Sequence, residues 1–132
     1  MEANELRIGN HAYKDYPSGL EIIKVKNIHG HIINGLGIGA IKPIPLTEEW
    51  LLKFGFEKFV YEDEDVGYGT EYKLKASQDV FMVYSDDFSV GLYSDEYGEK
   101  NDIAVIPTFE NNKYVHQLQN LYFALTGKEL IP

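Results

Sequence analysis

Six carboxylates stand close together in the middle of the chain: Glu62, Asp63, Glu64 and Asp65 in one group, Asp86 and Asp87 in another. Grouped acids support two kinds of chemistry. Converging within a few ångströms, they clamp a divalent metal for hydrolase or nuclease work. Spread over a surface, they make a field that draws in a basic partner. In an antiparallel meander, alternate connections lie at the same end of the sheet. The two groups then share one edge, two strand spacings or roughly 10 Å apart. Calcium ligands lie about 2.3–2.6 Å from their ion, so one tight cage spanning both groups is not expected. Neither group has the D-x-[DN]-x-[DN]-G pattern of a calcium loop. A separation near 10 Å is comparable with the Debye length in physiological salt, so the groups share a field. These six residues are the candidate acidic interaction edge. Asp95, Glu96, Glu99 and Asp102 are expected at the opposite end, and that division weakens a reading as a continuous mimic of the DNA backbone.

Other residues with chemical potential are scattered. His29 and His31 flank Gly30 and could share a strand face, but a catalytic zinc needs a third protein ligand, and His11 and His116 lie far off in sequence. His116 falls beside the apolar stripe of the last helix, as a surface histidine bonding to the sheet or to solvent. Gly35-Leu36-Gly37-Ile38-Gly39-Ala40 fits the loose G-x-G-x-x-A pattern. Pro43 and Pro45 exclude the helix on which pyrophosphate binding depends, so a turn is expected. No G-x-S-x-G is present, and the chain has no cysteine, which removes disulfides, thiolate catalysis and cysteine–zinc sites. Tyr61, Tyr68, Tyr72, Tyr84, Tyr93 and Tyr97 fall in or near the expected sheet, where tyrosine serves either as an interface residue or as a strand former. No cofactor and no catalytic residue is assigned.

The charge is segregated. Residues 62–102 hold 12 acids and 3 lysines, which accounts for the whole net charge of −9. A pI near 4.8 argues against direct nucleic-acid binding, which gathers Lys and Arg on one face. The polar, acidic start (Met1-Glu2-Ala3-Asn4-Glu5) is not a secretory signal, and no apolar run approaches the roughly 20 residues that span a bilayer. A cytoplasmic protein without membrane contact is expected.

The elements that must position these residues make an α+β fold. The first 42 residues read as short strands and tight turns, with spacing that suits a small SH3-like barrel. Tyr16-Pro17-Ser18-Gly19 is a turn, followed by a strand from Leu20 to Ile28. Thr47 caps a short helix with Glu48 and Glu49 in its first turn. Trp50, Leu51 and Phe54 form its apolar face, and Gly55 ends it with Phe56 folding back onto Leu51. A meander of four or five strands follows: Glu57–Tyr61, Thr70–Lys75, Val80–Tyr84, Phe88–Leu92 and Ile103–Ile106. The continuous apolar run Val80–Tyr84 is expected to be central. A second helix from Lys113 to Thr126 is capped by Asn111 or Asn112 and ended by Gly127. It carries Val115, Leu118, Leu121, Tyr122 and Leu125 on one face and is expected to pack on the sheet. The 132 residues read as one compact domain or as two tightly joined lobes, 1–42 and 43–132.

Three segments carry a resemblance: Asn4–Asn10 (NELRIGN), Ile44–Phe56 (IPLTEEWLLKFGF) and Val115–Leu130 (VHQLQNLYFALTGKEL). Together they cover about a quarter of the chain and resemble a family of short, uncharacterised proteins of gut bacteria and their phages or mobile elements. The resemblance implies an accessory protein of such an element in a bacterial cytoplasm. It carries over no functional residue. The sequence therefore points first to a non-enzymatic interaction protein with a basic host or phage protein as partner. A metal-dependent hydrolase or nuclease built on the clustered carboxylates is the alternative.

Overall fold

A computed structural model describes residues 1–63, 67–77, 80–85, 90–96, 99–106 and 113–132. In chain order its strands and helices are β1 (His11–Tyr16), β2 (Gly19–Lys24), β3 (Ile28–His29), β4 (Ile32–Ile33), β5 (Leu36–Gly37), β6 (Ile41–Lys42), α1 (Glu48–Lys53), β7 (Glu57–Asp63), β8 (Gly67–Ser77), β9 (Val80–Ser85), β10 (Val90–Glu96), β11 (Glu99–Ile106) and α2 (Val115–Thr126). The expected α+β class holds. The chain divides into two compact units, Met1–Leu46 with Lys113–Ile131, and Thr47–Asn112. The break therefore falls after residue 46 and again after residue 112, rather than after residue 42.

In the first unit β2, β1 and β6 form one antiparallel sheet, and β3, β4 and β5 a second. Tyr16 pairs with Gly19 across the Pro17-Ser18 turn, and Gly19 takes the positive φ (131°) that this tight link requires. β2 stops at Lys24, earlier than the apolar pattern to Ile28 suggests. The reason is Asn34. Its side-chain oxygen accepts from the backbone N–H groups of Lys26 (2.7 Å) and Asn27 (3.2 Å), and its amide donates to the Lys24 carbonyl (2.8 Å). One side chain thus satisfies backbone groups that a strand partner would otherwise take. Ala3, Leu6, Ala12, Val25, Ile33 and Ile41 form the core of this part.

Helix α2 belongs to this unit. The sequence pattern laid it across the meander, yet it packs beside β1. Its entry is fixed by strand-like bonds from Leu46 N–H to the Lys113 carbonyl and from Val115 N–H to the Ile44 carbonyl, both 2.9 Å. Tyr114 occupies the N-cap position, and the Gln117 side chain accepts from the N–H groups of Lys113 (3.0 Å) and Tyr114 (3.2 Å). Asn111 and Asn112, the expected caps, lie outside the described residues. Gly127 ends the helix at φ 71°, as the sequence indicates, with its N–H on the Phe123 carbonyl (2.8 Å). A Cβ there would meet nothing within 4 Å, so only conformational strain opposes one. Gly127→Ala is expected to cost about 1–2 kcal/mol, the price of the left-handed conformation, read as a lower midpoint in urea unfolding.

The second unit starts with α1, which forms as its sequence prescribes. Thr47 Oγ1 accepts from Trp50 N–H (3.4 Å), and Glu48 and Glu49 occupy the first turn. Gly55 is left-handed (φ 97°). Phe56 N–H reaches the Leu51 carbonyl (3.1 Å) and Gly55 N–H the Leu52 carbonyl (3.0 Å), the pair of bonds that defines a Schellman ending. Five antiparallel strands then run in the order β11-β10-β9-β8-β7. β9 is central, and Met82, Val83 and Tyr84 are buried in succession, which covers both its faces. Strands β7, β8, β10 and β11 reach further than their apolar alternation indicates. Glu62, Asp63, Asp95, Glu96, Glu99 and Asp102 consequently lie on strands, not in connections. Phe88, expected in the fourth strand, lies outside the described residues.

Candidate functional site

The acidic edge is only partly on the described chain. Glu62 and Asp63 form the last rungs of the β7–β8 ladder, opposite Tyr68 and Gly67. Glu64, Asp65, Asp86 and Asp87 lie outside the described residues. β7 and β9 run in the same direction, so Asp63 and Ser85 end at the same side of the sheet. They are not level. Ser85 pairs with Glu71, which pairs with Phe59 on its other side. Asp63 is four residues beyond Phe59, so the β7–β8 hairpin overhangs the end of β9 by roughly 13 Å. The edge is a step. Among the described residues no three His, Asp or Glu side chains come together as metal ligands. His29 and His31 are exposed, and the glycine-rich stretch forms β5, one 3-10 turn (Ile38–Ala40) and β6.

β7 closes the sheet on this side. It pairs with β8 and, among the described residues, with no other strand. Phe59 is 41% exposed and Val60 63%, on opposite faces of the strand. The Phe59 face also carries Tyr61, whose ring lies against Gly69 directly across the ladder; a Cβ on that glycine would sit 3.2 Å from the ring. Aromatic cover of a strand glycine in this way compensates for its missing side chain. Tyr93 covers Gly91 so closely that a Cβ would fall 2.6 Å from its ring. Lys73 sets its ammonium over the Phe59 ring, 4.7 Å from the centroid. Beside it opens a cleft of about 280 Å³ lined by Gly55, Glu57, Phe59, Lys73, Lys75 and Phe81. At the start of β7, Lys58 is ion-paired to Glu48 of α1 (2.6 Å), which raises the Lys58 pKa.

The first unit holds a buried polar cluster under α2. Gln119 is 1% exposed. Its side-chain oxygen accepts from His11 N–H (2.8 Å), and its amide nitrogen faces the Leu130 carbonyl (3.1 Å) and His11 Nδ1 (3.0 Å). A carbonyl can only accept, so the Leu130 oxygen fixes the amide orientation. Nδ1 then accepts as well, and the neutral His11 ring carries its proton on Nε2. Burial, and then the Lys24 charge, lower the His11 pKa. Asn10, fully buried, accepts from Arg7 N–H (2.7 Å) and donates to Asn120 (2.9 Å), which donates to the Glu5 carbonyl (2.8 Å). Arg7 grips Glu129 with two nitrogens (2.5 and 3.1 Å), lies 4.1 Å over the Phe123 ring, and holds the Glu129 carboxyl below its usual range.

His116 corrects an expectation. It is 1% exposed, not a surface residue, and among the described residues neither ring nitrogen has a hydrogen-bond partner. Glu5 Oε1 lies 3.8 Å from Nε2. Burial is the main reason its pKa is lowered, against the opposing pull of Glu5. The inward stripe of α2 is Val115, Leu118, Gln119 and Tyr122, while Leu125 is exposed. The sequence does contain a signal for Gln119: it stands between Leu118 and Tyr122 at the i+4 position from Val115, inside the apolar spacing. Compared with known proteins, the chain matches no family model, no curated protein and no solved structure.

Proposed function

We propose that the protein is a non-enzymatic interaction protein that docks an extended, basic segment of a partner along β7. The observation that carries this reading is the outer edge of β7, where exposed Phe59 and Val60 are set between Glu57 on one side and Glu62 and Asp63 on the other. A strand at the end of a sheet offers backbone donors and acceptors to an incoming chain, and side chains on alternate faces supply selectivity. The −9 carried by residues 62–102 favours a basic segment and speeds its encounter. The resemblance of Asn4–Asn10, Ile44–Phe56 and Val115–Leu130 supplies a context: an accessory protein of a phage or mobile element, acting on a host or phage protein in the cytoplasm.

The test uses a short peptide alternating Lys and Val. It should perturb the backbone amides of residues 57–63 saturably, and its affinity should fall steeply with added salt. Val60→Lys places a like charge on the edge and is expected to weaken binding about tenfold or more, a difference of about 1.4 kcal/mol. Its effect on stability should stay within about 0.5 kcal/mol because the site is exposed. Binding that leaves residues 57–63 unperturbed, or that ignores both salt and Val60→Lys, would remove the reading.

A further inference from the structure

We infer that the cleft between Phe59 and Phe81 is a binding site for a small aromatic carboxylate; it shares Glu57 and Phe59 with the docking edge and lies on the strand face opposite Val60. The argument begins with charge. Residues 62–102 contain only three lysines, and two of them, Lys73 and Lys75, line this cleft. Neither is ion-paired among the described residues. Two ammonium groups are thus brought together in the most acidic part of the chain. Glu57 also lines the cleft, opposite Lys73 in the ladder, so the lining charges sum to about +1.

Geometry narrows the ligand. Lys73 and Lys75 are two residues apart on one strand and face the same way, roughly 7 Å between Cα atoms. One carboxylate, with an oxygen toward each ammonium, spans that interval with charge-assisted bonds. Phe81 stands directly across the ladder from Lys75, and Phe59 lies under the Lys73 ammonium. Both rings line the cleft and offer apolar surface to a flat ligand. An apolar cavity of about 150 Å³ accepts benzene. A cleft of about 280 Å³ therefore suits one or two fused rings with an acid group. A polyphosphate is disfavoured, because its charge would meet Glu57 here and the surrounding acids of the unit.

The probe is 2-naphthoate, with the same ring system bearing an ammonium group as its counterpart. Amide shifts for residues 57–59, 73–75 and 81 should saturate with 2-naphthoate at a Kd of about 1 mM or tighter, and should not saturate with the cation. The Lys73→Gln, Lys75→Gln double variant should weaken naphthoate at least about tenfold, while Val60→Lys leaves it unchanged. Lys75 is exposed and Lys73 half-buried, and matching circular dichroism establishes that the variant is folded. The wild-type comparison of acid and cation stands without any variant. Equal binding of the two, no saturation by naphthoate, or binding indifferent to the lysine changes would each overturn the site. Loss of naphthoate binding in Val60→Lys would overturn the placement of the ligand on the face opposite Val60.

Discussion

Gln119→Leu is expected to lower the stability of the first unit by about 2–4 kcal/mol, the largest loss foreseen for a single substitution in this protein. Leucine nearly matches glutamine in volume and favours a helix, so neither a cavity nor propensity accounts for the loss. The loss comes from what Gln119 satisfies. Its oxygen takes the His11 N–H at 2.8 Å, and its nitrogen serves the Leu130 carbonyl at 3.1 Å and His11 Nδ1 at 3.0 Å. Removing it withdraws bonds from the start of β1, from the C-terminal segment and from an imidazole at once. A buried backbone group deprived of its partner costs about 1–3 kcal/mol, and two such groups are affected. Hydrogen exchange at the His11 amide should accelerate strongly, and the unfolding midpoint of the first unit should drop. An unchanged midpoint in Gln119→Leu would show that the clamp contributes nothing net.

The same residue shows where the sequence could be read and where it could not. Helix α1 was legible to the residue, because Thr47, Glu48, Glu49, Gly55 and Phe56 act on backbone groups within a few positions of themselves. β9 was legible because a continuous apolar run fits only a strand covered on both faces. The partner of α2 was not. An amphipathic stripe states that one face is buried and says nothing of which sheet lies beneath. That choice rests on bonds spanning more than a hundred residues, such as Asn10 to Asn120 and His11 to Gln119. They come from polar side chains whose partners the stripe does not name. Strand length failed for a related reason. Gly67 and Gly69 look like turn residues, yet ladder pairing holds them in β8, with Tyr61 covering Gly69. Acids from Asp95 to Asp102 look like a loop, yet their backbones pair across β10 and β11. Glu62 and Asp63 of the candidate acidic edge end β7 beyond the last residue of β9, an overhang that depends on where β9 stops against β8.

His116→Leu is expected to act in the opposite sense and stabilise the first unit by about 1 kcal/mol near neutral pH, or roughly 4–8 °C in Tm for a unit of this size. The imidazole is 1% exposed and, among the described residues, neither nitrogen is bonded, so leucine removes two unsatisfied polar atoms and keeps most of the volume. The pH dependence supplies the second half of the test. Burial is the largest influence on His116; Glu5 opposes it and the Met1 ammonium adds to it, and the folded pKa lies below the ordinary histidine value of 6.5. The folded state then binds fewer protons than the unfolded state between these two values. Stability is fully present above about pH 6.5 and drains away as pH falls from there through the folded pKa. His11, also lowered, contributes with the same sign. Wild-type Tm should thus fall between about pH 7.5 and pH 5, and His116→Leu should flatten the fall while leaving the His11 share. A conserved fall in the variant, together with a lower neutral Tm, would mean that His116 is stabilised where it sits. If Glu5 is the stabilising partner, Glu5→Gln should then destabilise the wild type and do nothing to His116→Leu, since the coupling between the two residues exists only while the imidazole is present.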